Sequence, residues 1–374
     1  MTGKHAGKAG RQRLRMVAGV LALVLPAAPL SALPAGASTV NCGDVLTSSV
    51  ALTADLDCPV TGPQTVTVNA ANITIDLAGH TLTADLVNDT FPGVTVKDGR
   101  LSSLSTDHNA TVTLSNVRTA SVSIKNLATV IANGTPDTCE IGTVRVNVGR
   151  LTVDNCTLHR GNFYRALPIV RSSVVSDGSL SFTDSNDGLF TENIFDNAPV
   201  SVGWESVDFT FRDNVFKNAD KALNIYGISR GPWSSGTVEN NEFVDNSIGL
   251  HAAPYFDRLT VRNNTFTRNR TVGLYIDNQT TPRQSYPVSD NVFNDNGQAP
   301  SGATDRWHNP LRGGLHVANN SGADGPPYFP RITLTRNTGS GNANYLIWAP
   351  RAQVIDGGGN QGPCKPGDTP LTCF

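Results

Sequence analysis

Charge is scarce in this chain. Only 16% of its 374 residues are Asp, Glu, Lys or Arg, against about 25% in ordinary soluble domains. Neither sign dominates, with 29 basic and 31 acidic residues and a formal net charge of −2. A basic nucleic-acid binder is thereby excluded, and no nucleic-acid partner is expected. Methionine is nearly absent, at 2 residues, and aromatics make up 7%. The 35 Gly and 22 Pro show no Gly-x-y period, which excludes collagen. Hydrophobic residues still reach 39%, too many for a disordered chain of near-zero charge. Helical heptads and long apolar runs are missing too. The longest apolar stretch, residues 16–25, is cut short by Pro26 and Pro29 and falls below the ~20 residues of a membrane span.

That stretch follows Lys4, Lys8, Arg11, Arg13 and Arg15, with no acid among them, and precedes Ala35-Gly36-Ala37. Basic head, short apolar run and small-residue site form a secretory signal, with cleavage expected after Ala37. The mature domain is then 38–374, expected to be extracellular and to have no membrane partner once the signal is gone. All six cysteines (42, 58, 139, 156, 364 and 373) lie within it, as disulfides of an exported protein do. Six cysteines allow 15 pairings; the simplest joins neighbours, Cys42–Cys58, Cys139–Cys156 and Cys364–Cys373. No Cys-x-x-Cys pair supports a metal site instead. Scattered acids such as Asp76 and Asp98 do not make a calcium site, so neither metal nor cofactor is expected.

A repeat dominates what remains. Phe211 to Phe216, Val238 to Phe243, Val261 to Phe266 and Val288 to Phe293 each read apolar, x, polar, Asn, x, Phe. Their Asn column is Asn214, Asn241, Asn264 and Asn291, spaced by 27, 23 and 27 residues. A partial copy stands at Asn193 and Phe195, and a later one at Asn337, where Gly339 replaces the Phe. Eight or nine residues after Asn214, Asn241 and Asn264, and 23 after Asn291, a second block alternates strictly: Ala222 to Ile225, Gly249 to Ala252, Gly273 to Ile276 and Gly314 to Val317. Strict alternation is a strand buried on one face. Short strands and Asn/Gly turns recurring every two dozen residues make a solenoid, in which stacked turns bury a side that none can bury alone. Phe216, Phe243, Phe266 and Phe293 should then stack inside, and the Asn column should bond main-chain groups at a bend. The leucine-rich and propeller alternatives lack their signatures.

The Asn-x-Phe-x-x-Asn turns of residues 241–246 and 264–269 resemble the parallel β-helix repeat. The opening Cys42-Gly43-Asp44, with Asp57-Cys58 and residues 73–82, and the ending at residues 355–364, resemble the ends of many bacterial proteins of that kind. Over residues 40–374 the chain resembles the secreted right-handed parallel β-helix proteins of the pectate-lyase-like superfold. The resemblance implies an all-β, single-stranded right-handed parallel β-helix; mature length over repeat period gives about ten to twelve turns, and 38–60 and 361–374, each with a cysteine pair, are expected to cap its open ends. It fixes no function, because that superfold hosts lyases, hydrolases, esterases, epimerases and non-enzymes. No Asp-Asp pair or His-Gly of the polygalacturonases occurs. The Asp-Pro-His-Asp of mannuronan epimerases, the Trp-Ile-Asp-His of pectate lyases and the Gly-x-Arg-Asp-Phe of pectin methylesterases are missing too.

Alternation places the candidate chemistry. In the second block the residues pointing out on successive turns are Ser201, Asn224, His251, Tyr275, His316 and Ile347, followed two positions on by Gly203, Tyr226, Ala253, Asp277, Ala318 and Ala349. Asn224, His251, Tyr275 and His316 should form one row spanning about 15 Å, with Tyr226 and Asp277 beside it. Such a row suits an extracellular polysaccharide, whose rings stack on aromatics and whose hydroxyls need partners. Insertions at 227–237, 253–258, 278–287, 298–312 and 319–331 flank it, bringing Arg258, Trp307, Arg312 and Arg331. These loops either wall a cleft or merely cover the sheet. His251, Tyr275 and His316 have the proton chemistry for β-elimination or epimerisation of a uronate, and Asn224, Tyr226, Asp277, Arg258, Trp307 and Arg312 are candidate substrate contacts. Hydrolysis needs two carboxyl groups, and the row offers only Asp277. A non-catalytic binding or surface module is the alternative. As outward residues, all three candidates should tolerate Ala without loss of the fold.

Overall fold

The computed structural model describes residues 39–374, apart from 60, 204–205, 227–234, 253–257, 278–285, 306–307, 319–331, 350–353 and 366–368. The signal expected at 1–37 lies outside the described residues. Among them the structure is all-β, a right-handed parallel β-solenoid of about 13 turns. Every strand-to-strand ladder is parallel, and each joins one turn to the next, as in Phe195↔Phe216, Phe216↔Phe243, Phe243↔Phe266 and Phe266↔Phe293. The turn count exceeds ten to twelve because the upstream turns are short. Thr157 pairs with Glu140 and with Val174, and Val94 with Val112, so these turns advance by only 17 or 18 residues.

Two internal columns hold the stack together. Rings of Phe195, Phe216, Phe243, Phe266 and Phe293 lie nearly parallel with centroids 4.5 to 4.8 Å apart, the spacing of hydrogen-bonded strands. Each of Phe216, Phe243, Phe266 and Phe293 is completely buried. The Asn column runs from Asn193 through Asn214, Asn241, Asn264, Asn291 and Asn337 to Asn360. Asn264 shows the wiring: its Oδ1 accepts from the backbone N–H and Nδ2 of Asn241 at 2.9 and 3.0 Å, and its own Nδ2 donates to Val238 O at 2.9 Å. A second ladder, Asn246, Asn269, Asn296 and Asn342, repeats this at the next corner. These buried amides satisfy main-chain groups that a tight corner otherwise strands.

The residue before each column Asn takes the turn. Asp213, Asn240, Asn263, Asp290 and Arg336 all have φ between 50° and 58°, a left-handed conformation that Asn and Asp tolerate best. The last copy loses its Phe for a backbone reason. Gly339, at φ 156°, packs directly against the main chain of Phe293, where a Cβ would collide with the carbonyl oxygen. The three disulfides join Cys42 to Cys58, Cys139 to Cys156 and Cys364 to Cys373. The first and last pin the two ends of the solenoid.

Candidate functional site

The outward row exists and is longer than the repeat alone suggests. Register places Asn224 beside His251, His251 beside Tyr275, and Tyr275 beside His316 on successive turns. Upstream the same column continues through Ser201, Ser181, Asn162, Arg145, Ser123 and Ser105. Ser201 stands where the sequence placed it; the other five were missed because their turns lack the Asn-x-Phe signature, although their alternation was visible. Downstream the column continues through Trp348 and Lys365. Ile347 is not part of it: it pairs with Leu315 and is fully buried, so the register across the long preceding insertion is one residue from that expected.

Exposure varies along the column. Arg145 and Asn162 are exposed, and Ser181, Ser201, Asn224 and His251 are half-buried. The next two members are covered. Tyr275 is 7% exposed and His316 0%. The cover comes from the 298–312 insertion, closed by an antiparallel bridge between Thr304 and Pro310. Leu311 and Ala303 from this segment join Ile248, Val272, Tyr275 and Ala318 in a small apolar cluster outside the main core.

His316 is therefore a tethered residue. Its Nε2 lies 3.1 Å from Asp305 Oδ2 and its Nδ1 3.0 Å from the Tyr345 hydroxyl. Asp305, itself 2% exposed, also accepts from the backbone and side-chain N–H groups of Asn309 at 2.9 Å. Burial holds the His316 pKa below its ordinary value, and the Asp305 carboxylate only partly offsets this. With both ring nitrogens engaged and no exposure, His316 acts as the anchor of the covering segment and has no free atom for a substrate. The expectation that all three residues are solvent-facing fails for Tyr275 and His316, because of the roof over them, and His251 is half-buried.

His251 differs from its neighbour. Its ring stacks on Tyr275, centroids 4.9 Å apart and planes 7° from parallel. Both Nδ1 and Nε2 are buried and have no hydrogen-bond partner among the described residues, and the same holds for Asn224 Oδ1 on the preceding turn. Burial, and then the positive charge of Lys221, lower its pKa to about 4, so the imidazole is neutral at neutral pH. A neutral imidazole offers one donor and one acceptor. Beside this pair Tyr226 lies across Gly203, where a Cβ would come within 2.6 Å of the ring, so the absence of a side chain there gives the aromatic a flat seat.

The remaining candidates divide. Asp277, next outward after Tyr275, is 9% exposed. Arg312 is exposed and borders a cavity of about 480 Å³ beyond Trp348. Arg258 begins the strand Arg258–Arg262, which pairs with Ser235–Glu239 on another face; the structure does not bring it into the row. Trp307 and Arg331 lie outside the described residues. No group of three or more His, Cys, Asp or Glu able to hold a metal ion occurs among the described residues.

Residues 205–353, which carry Asn224 to Trp348, match a family model described as a right-handed beta helix region. No curated protein and no solved structure matches the chain. Fold and match together define the class: this is a right-handed parallel β-helix repeat protein.

Proposed function

We propose that the protein is exported and grips an extracellular polysaccharide along the outward column, with Asn224, Tyr226 and His251 at its centre. The observation that supports this reading is the unbroken register of hydroxyl, amide and ring side chains on one face. An extended polymer presents hydroxyls at a regular repeat, and a column of polar groups spaced about 4.8 Å apart meets them without chain folding. Tyr and His add a flat apolar face and a polar tip. Export is supported by the three disulfides, which leave no free cysteine among the described residues. In addition, no helix among the described residues is long and apolar enough to cross a membrane.

A second reading is β-elimination or epimerisation of a uronate, favoured by the neutral imidazole of His251, whose nitrogens have no partner among the described residues and would need uncovering to accept the proton beside a carboxylate. Affinity electrophoresis through a panel of neutral and acidic polysaccharides tests the first reading. At least one polymer should retard the protein, and Asn224→Ala and His251→Ala should each relieve the retardation. No retardation by any polymer would contradict it. Absorbance of the unsaturated product in the same mixtures separates a lyase from a binding module.

A further inference from the structure

The column does not end at the roofed His316. Trp348 occupies the next turn, its ring stacked on His316 with centroids 5.8 Å apart and planes 11° from parallel. Lys365 occupies the turn after that. The cavity here, about 480 Å³, is lined by Trp348, Lys365, Arg312, Asn309, Asn344 and Tyr345, along with Pro310. Its volume is in the range of small-ligand sites. Its chemistry is one-sided: two cations, two amides and aromatic surface, with no acidic side chain in the lining among the described residues. Moreover, the Trp348 indole Nε1–H is buried and has no acceptor among the described residues. Being buried, that N–H does not open on the cavity, and Trp348 lines it with its ring.

The supports on each side are rigid. Lys365 lies in the strand Cys364–Lys365 and is held by the Cys364–Cys373 disulfide. Arg312 precedes Gly313, which is at φ 81° and packs on Tyr345. Tyr345 in turn is tied through its hydroxyl to His316.

We infer that this cavity is a subsite for a carboxylate-bearing sugar, with Arg312 and Lys365 receiving the carboxylate and Trp348 contributing its ring. The inference rests on the polysaccharide reading for its ligand class, and narrows it to uronates. Guanidinium and ammonium groups favour a carboxylate over a hydroxyl. The indole supplies an apolar face for the sugar ring.

Titration with an oligogalacturonate, an oligomannuronate and the uncharged methyl ester of the first, followed by intrinsic fluorescence, tests the assignment. Expected is binding of at least one acid about tenfold tighter than of the ester. Arg312→Gln and Lys365→Gln should each remove about that factor, with melting temperatures unchanged because both side chains are exposed. Trp348→Phe should abolish the fluorescence response. Equal affinity for acid and ester, or unaltered binding in both cation variants, overturns the subsite and leaves the polysaccharide reading intact. Tighter binding of a sulfated neutral oligomer than of any uronate also overturns it. A free monomeric uronate bound in a Trp348-dependent way, with no polymer retarded, supports the subsite while removing the polysaccharide reading. Absence of all binding removes both.

Discussion

His251 and His316 show how one outward position on adjacent parts of a column acquires two different roles. Both imidazoles are kept neutral by burial. His316 has Asp305 and Tyr345 at its nitrogens, whereas those of His251 are unpartnered among the described residues. The consequence for His251 is a pH-dependent stability. Its pKa is about 4 in the folded protein against 6.5 normally, so below about pH 6.5 the unfolded chain binds a proton that the folded chain refuses. Stability is therefore lost as pH falls from 6.5 towards 4, by about 3 kcal/mol in all. Urea denaturation at a series of pH values should show this slope, and His251→Phe should flatten it. An unchanged slope would mean that the ring is solvated. His316→Ala should behave differently, removing the imidazole's hydrogen bonds to the Asp305 carboxylate and the Tyr345 hydroxyl and destabilising the fold by about 2 kcal/mol or more at neutral pH. That outcome would run against the expectation that an outward residue can be truncated freely.

At the scale of the strand and its corner, the Asn and Phe columns divide the work. Phe266 fills the interior, and its truncation to Ala should cost about 3–5 kcal/mol. Asn264→Ala removes little volume, yet strands the backbone N–H and Nδ2 of Asn241 and the carbonyl of Val238. Its cost should also be about 3 kcal/mol, and equilibrium denaturation of the two variants checks both values. A loss under 1 kcal/mol for Asn264→Ala would show that water replaces the ladder. These columns were legible in the sequence because a solenoid writes each contact as a period. The same cue was weak upstream, where strands such as Val94–Thr106 and Thr111–Lys125 run through the corners. Single left-handed residues, Asp98 and Asn116, make the bends there. The roof over Tyr275 and His316 was not legible at all. Alternation tells which side of the sheet a residue takes, but not whether an insertion of some fifteen residues folds back over it. The displacement from Ile347 to Trp348 has a related cause, since a long insertion breaks the count that fixes register.

Over the whole molecule, disulfide-pinned ends and an aligned face make a rigid ruler. The open part runs from Ser105 to His251, the roofed part holds Tyr275 and His316, and the column re-emerges at Trp348 and Lys365. A ligand that follows such a face gains contacts with each added unit, so length is the variable that matters. Calorimetric titration with oligosaccharides of increasing length, drawn from whichever polymer retards the protein, addresses this directly. The account predicts affinity that climbs over several successive sugar units before levelling. An affinity that is the same for a disaccharide as for a decasaccharide would contradict it.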